Sequence, residues 1–219
     1  MIKLLIFDLD GTLINSIDDL ADSVNHALTE NDFPVHELNK FNMFVGNGVQ
    51  KLIERALPDN CRDSETILKV KSRFDFYYNQ NYCNKTKPYD GINQLLEKLW
   101  QNGIMTAVAS NKPDNFTKKI VSAFWKDKFT YVYGNREGVA KKPDPECVYI
   151  IMNELSVTTE EVIFIGDSNV DIITAKNAGL KSIGCLWGFR TRKELEDSGA
   201  DFIASHPLDI ITYIDSMNK

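Results

Sequence analysis

Leu4-Leu5-Ile6-Phe7-Asp8-Leu9-Asp10-Gly11-Thr12 places two carboxylates one residue apart at the end of an apolar run. The four residues before Asp8 read as a buried strand, which should end in a packed core. Two charges at such a place need a metal or a cationic partner to compensate them. In an extended strand positions i and i+2 share a face, so Asp8 and Asp10 can converge on one site. Gly11 permits a sharp turn just after them, with backbone amides free to face an anion. Alone, the segment reads equally well as a strand followed by an acidic turn.

Outward from this stretch, short apolar strands alternate with longer amphipathic helices, the rhythm of a parallel α/β sheet with helices on both faces. Strands are expected at residues 3–7, 105–109, 131–133, 162–165, 182–186 and 201–203. Helices are expected at 92–101, 115–124, 146–155 and 171–178. Residues 15–83 break the rhythm, with helical patterns at 17–31, 49–56 and 64–82 and no convincing strand. The reading is a Rossmann-like α/β core of residues 1–14 and 84–219, interrupted by an all-helical insertion of residues 15–83. A helical lid inserted there is expected over the carboxyl end of the first strand, where open α/β sheets bind ligands.

Apolar content of 43% and charged content of 26% fit a soluble globular protein, and the net charge of −6 argues against a general nucleic-acid or anionic-membrane surface. Four widely spaced cysteines (Cys61, Cys83, Cys147 and Cys185) without a CxxC pair suit a reducing compartment better than a disulfide framework. The apolar start is interrupted by Asp8 and Asp10 too early for a signal peptide, and no apolar run approaches a membrane span. A cytoplasmic location is expected, as a monomer or homodimer.

Further strand ends repeat the first signal. Ser110-Asn111-Lys112-Pro113 follows one strand, Lys141-Lys142-Pro143 lies in the loop after the next, and Gly166-Asp167-Ser168-Asn169-Val170-Asp171 follows a third. In a parallel sheet these junctions share an edge. Asp8, Asp10, Asp167 and Asp171 would then crowd together, a conflict that a hard cation such as Mg²⁺ resolves with oxygen ligands. The combination suits phosphoryl transfer: an aspartate can attack phosphorus, and metal, lysine, hydroxyl and amide donors can stabilise the equatorial oxygens.

The ordered set Asp8-x-Asp10-Gly-Thr12, Ser110, Lys142-Pro143 and Gly166-Asp167-x3-Asp171 resembles the haloacid dehalogenase-like phosphatase superfamily. The resemblance implies Asp8 as nucleophile and Asp10 as general acid/base, with Ser110 and Lys142 binding the phosphoryl group and Thr12 helping to position it or Asp10. It implies Mg²⁺ held by Asp8, the Asp10 carbonyl and Asp167, with Asp171 as ligand or support. Asp10 points to phosphate esters, since the true dehalogenases lack this second aspartate. The helical insertion is similar to the family's small cap, which accompanies small phosphorylated metabolites.

A narrower resemblance is to phosphoglycolate phosphatases. It is carried by residues 46–57, starting Gly46-Asn47-Gly48, by Ser110-Asn111-Lys112-Pro113 and by Trp187-Gly188-Phe189-Arg190. It implies 2-phosphoglycolate as substrate, with Gly46, Asn47, Gly48, Arg55, Asn111 and Lys112 in its binding and Arg55 pairing its carboxylate. The chain departs from the subgroup at Asp144, where a histidine is usual, and at Gly134-Asn135, where Gly-Gly is usual. Pyrophosphate, sugar phosphates and nucleotide monophosphates remain as other substrates, a phosphomutase as another activity, and a receiver-like phosphate sensor as a non-enzyme reading.

Overall fold

The computed structural model of the chain describes residues 1–217. Its larger compact unit comprises Met1–Ile14 and the chain from Pro88 onward; the smaller is Asn15–Lys87.

In the larger unit, β1 (Leu4–Phe7), β4 (Met105–Pro113), β5 (Tyr131–Asn135), β6 (Val162–Gly166), β7 (Lys181–Cys185) and β8 (Phe202–Ala204) form a six-stranded sheet. All five pairings between neighbouring strands of this sheet are parallel. The strand order β5-β4-β1-β6-β7-β8 is that of a doubly wound sheet, with its topological switch at β1 and β6. All four residues of β1 are buried, as a central parallel strand covered on both faces requires. Leu4 and Ile6 share a core cluster with Ala107, Val148, Ile151 and Phe164, under α7 (Glu146–Leu155) and α8 (Asn169–Asn177). α5 (Ile92–Gln101) and α6 (Asp114–Trp125) also pack on the sheet through β4.

The expected strands are present within a few residues of their expected bounds. β4 is longer than expected: it runs on to Pro113, with a register shift against β5 after Ala109. The structure adds to the expected elements the short helices α9 (Arg192–Asp197) and α10 (Asp209–Met217) and the two-residue strands β2 (Ile14–Asn15) and β3 (Lys87–Pro88), which pair with each other.

The smaller unit is helical: α1 (Ile17–Thr29), α2 (Leu38–Phe44), α3 (Val49–Ala56) and α4 (Ser64–Asn81). Its core holds Leu20, Val24 and Leu28 of α1, Phe41 of α2, Ile53 of α3, and Val70, Phe74 and Tyr78 of α4, with the α1 residues at helical spacing. Only Phe41 of α2 is buried, too little apolar signal for sequence periodicity to reveal that helix. The unit ends at Lys87, four residues beyond the expected residue 83. The reason is Asp19 on α1, whose carboxylate accepts from the Lys85 and Thr86 backbone N–H groups and from Thr86 Oγ1. That buried anchor keeps the return strand with the helices.

Cys147 and Cys185 are buried free thiols, while Cys61 and Cys83 are half-buried. Among the described residues no helix is long and apolar enough to cross a membrane.

Candidate active site

Register decides which residues meet. Phe7 pairs with Val108 on one side and Ile165 on the other, so the pairing of β1 with both neighbours ends level. The residues just beyond, Asp8, Ser110 and Asp167, therefore emerge at one edge, at the switch point where such sheets bind ligands. The Asp8 N–H extends the pairing by one residue, donating to Ile165 O at 2.9 Å. Gly11, at φ +92°, then turns the chain back, and a side chain there would strike the Asp167 carboxylate.

Lys142 arrives from the loop between β5 and α7. Its Nζ lies 2.8 Å from Asp8 Oδ1 and 2.7 Å from Asp171 Oδ1. Asn111 fixes the Lys142 backbone, with Nδ2 donating to Lys142 O at 3.1 Å and Oδ1 accepting from Lys142 N at 2.9 Å. Lys141 is exposed, so burial distinguishes the two adjacent lysines.

Asp171 also closes the first turn of α8, where Oδ2 accepts from Ser168 N at 3.1 Å and Ser168 Oγ at 2.7 Å. Its helix-capping role and its ion pair thus coexist. Asp167 Oδ2 accepts from Phe189 N at 2.8 Å, and Thr12 Oγ1 lies 3.4 Å from Asp167 Oδ1. Ser110 is buried on this edge and does not cap the next helix, which begins four residues later; its Oγ accepts from Lys112 N at 3.3 Å.

Lys112 pairs with Asp10, its Nζ 3.0 and 3.1 Å from the two carboxylate oxygens. Lys112, which the family resemblance offers as a substrate-binding residue, is buried and is not a solvated loop charge. The turn at residues 187–190 follows β7. It braces both acidic loops: Trp187 Nε1 donates to Thr12 O at 2.9 Å, and a side chain on Gly188 would meet Asp167 and Gly11 O.

The remaining sequence candidates lie in the helical unit. Gly46, Asn47 and Gly48 form the loop between α2 and α3, and Arg55 sits on α3. The Arg55 guanidinium donates to Phe44 O at 2.9 Å, Met43 O at 3.3 Å and Asn47 Oδ1 at 2.8 Å. It holds its own loop together.

Asp8, Asp167 and Asp171 each offer a carboxylate oxygen within 4.8 Å of the others. Burial pushes Asp8 up to about 7; Lys142 draws it down, while Asp171 and Asp10 add to the rise. Asp167 is raised well above the carboxylate range, by burial first and then by Asp171 and Asp8. Burial alone would lower Lys142, but Asp171 and Asp8 outweigh it and hold the ammonium charged. Asp8 Oδ1 accepts no well-aligned hydrogen bond, although the ammonium lies beside it. Three clustered carboxylates against one ammonium leave an excess of negative charge, with Arg190 only a minor influence on Asp167. The oxygen-only donors and the charge both fit a hard divalent cation.

The sequence model of haloacid dehalogenase-like hydrolases matches residues 5–185, a span that includes Asp8, Asp10, Ser110, Lys112, Lys142, Asp167 and Asp171. The chain belongs to the haloacid dehalogenase-like hydrolase family. This hydrolase is 35% identical over 220 residues to a phosphoglycolate phosphatase of Pasteurella multocida, covering 97% of this chain and 98% of the relative. It is 34% identical to a phosphoglycolate phosphatase of Mannheimia succiniciproducens, with the same coverage. Among solved structures, one described as a predicted phosphoglycolate phosphatase from Haemophilus somnus superposes with a TM-score of 0.90. Its identity is 32%, over 97% of this chain and 98% of that one. The chain is an enzyme, related over nearly its whole length to phosphatases.

Proposed function

We propose that this hydrolase is a Mg²⁺-dependent phosphomonoesterase that converts 2-phosphoglycolate to glycolate and phosphate through an aspartyl-phosphate on Asp8. The observation that carries the reading is the Asp8 carboxylate held against Lys142 inside a carboxylate cluster, with Asp10 one strand repeat away. The names of the full-length relatives support the substrate.

In the first step an Asp8 oxygen bonds to phosphorus as the ester P–O bond breaks, and Asp10 gives its proton to the leaving glycolate oxygen. In the second, Asp10 takes a proton from the water that attacks the acyl phosphate, releasing inorganic phosphate and restoring Asp8. Lys142 and Ser110 hold the equatorial oxygens, and Thr12 orients the turn that carries Asp10. Mg²⁺, held by Asp8, the Asp10 carbonyl and Asp167 with Asp171 in support, would supply positive charge against the phosphoryl oxygens. Asn111 serves this chemistry by fixing the Lys142 backbone. In the helical unit, Gly46, Asn47 and Gly48 are proposed substrate contacts, in a loop that Arg55 braces.

The test is phosphate release from 2-phosphoglycolate, with and without a chelator, by the wild type and Asp8→Asn. The expected result is Mg²⁺-dependent release and a loss of roughly 10⁴-fold or more in kcat for the folded variant. Turnover by Asp8→Asn above about 1% of wild type would remove Asp8 as nucleophile.

A further inference from the structure

Lys112 has no part in the phosphoryl chemistry above, yet it is an almost wholly buried cation beside the proposed proton donor. Its side chain is 4% exposed, against 13% for Asp10, and its ammonium spans both Asp10 oxygens. Burying an ammonium is costly, so its position constrains what can bind next to it.

We propose that Lys112 selects the substrate: it receives a carboxylate carried on the carbon that bears the ester oxygen. The substrate class is then the 2-phosphoryloxy carboxylates. This rests on the phosphatase reading and deepens it by naming the group that is read and the residue that reads it. To hand over a proton, Asp10 must lie within about 3 Å of the leaving oxygen. The Lys112 ammonium is one hydrogen bond further on, at 3.0 Å from Asp10. In a 2-phosphoryloxy carboxylate the carboxylate oxygens stand three bonds from the ester oxygen, on the order of one hydrogen-bond length away. An ammonium with three rotatable donors can therefore serve Asp10 and the substrate carboxylate together.

The cation that sequence suggested for this task, Arg55, spends its fork on Met43 O, Phe44 O and Asn47 Oδ1 within the helical unit. Arg190 pairs with Glu194 at 3.3 Å. A substrate with a neutral group in place of the carboxylate loses a charge-assisted hydrogen bond to a desolvated partner, a large handicap.

The experiment compares kcat/KM for 2-phosphoglycolate, 2-hydroxyethyl phosphate and para-nitrophenyl phosphate in wild type, K112M and K112R. The wild type is expected to prefer 2-phosphoglycolate over 2-hydroxyethyl phosphate by at least about tenfold. K112M should bring that ratio close to one, chiefly through KM, and K112R should restore part of it. An equal loss on both alkyl esters in K112M, with the ratio kept, would show that Lys112 only positions Asp10 and would overturn the proposal. A wild type without the preference overturns it too, and leaves the phosphatase reading standing. Failure to release phosphate from any of the three esters sinks the phosphatase reading instead. On the wild type alone, glycolate should inhibit para-nitrophenyl phosphate turnover and ethylene glycol should not. Equal inhibition by the two overturns the proposal whether or not K112M folds.

Discussion

Asp19 and Asp8 are both buried aspartates, and their surroundings assign them opposite tasks. Asp19 has its oxygens filled by the Lys85 N–H at 3.0 Å, the Thr86 N–H at 2.8 Å and Thr86 Oγ1 at 2.7 Å. Asp8 has instead a single ammonium beside it, Lys142 Nζ at 2.8 Å from Oδ1, and two further carboxylates close by. A satisfied carboxylate stabilises, and removing it strands its donors. Asp19→Ala should therefore cost roughly 2–4 kcal/mol, and Asp19→Asn less, because an amide oxygen still accepts. Urea unfolding of the two variants measures this, and a loss for Asp19→Ala below about 0.5 kcal/mol would show the anchor to be idle. Nothing in the local sequence Ser16-Ile17-Asp18-Asp19 distinguishes Asp19 from its neighbour. Its partners lie more than sixty residues away, so only the folded chain identifies it.

Elements reveal themselves in sequence when their own periodicity is long enough. β1 and β6 are continuous apolar runs, and α5 repeats its buried residues at helical spacing, so each was readable. Short α2 and α9 bury one residue apiece and gave no period to read. The turn at residues 187–190 belongs to neither kind. Its importance lies in contacts with two other loops: Trp187 on Thr12, Phe189 on Asp167, and Gly188 wedged where no side chain fits. Gly188→Ala should push Asp167 or Gly11 aside and weaken Mg²⁺ binding by about 10-fold or more, the scale on which supports of metal ligands act. Trp187→Phe, which keeps the ring and loses one hydrogen bond, should weaken it less. Calorimetric titration with Mg²⁺ reads this directly, with circular dichroism to check the fold. Wild-type affinity in folded Gly188→Ala would remove the turn from the metal site's support.

For the molecule as a whole, the excess of buried negative charge should make metal and pH act on stability together. Asp8 rises from an ordinary 3.8 to about 7 in the folded protein, so the folded state holds that proton more tightly than the unfolded chain. This contribution is complete below pH 4 and is lost as pH rises through 7. Asp63, Asp114 and Asp201 are shifted downward, so their contributions are already constant above pH 5. In a chelator, Tm should fall between pH 5 and about 7.5, and millimolar Mg²⁺ should raise Tm most at the upper end. A metal-free Tm that climbs over this range, or no response to Mg²⁺, would contradict the charge balance drawn for the cluster. The sequence by itself determined the α/β alternation, the helical insertion and the candidate carboxylates, because periodicity and strand-end chemistry are local properties of the chain. The tertiary structure alone decided that Lys142 bridges Asp8 and Asp171, that Lys112 lies on Asp10, and that Arg55 turns to its own loop. These are outcomes of strand register and of competition among distant partners for a few buried charges, and no short stretch of sequence encodes either.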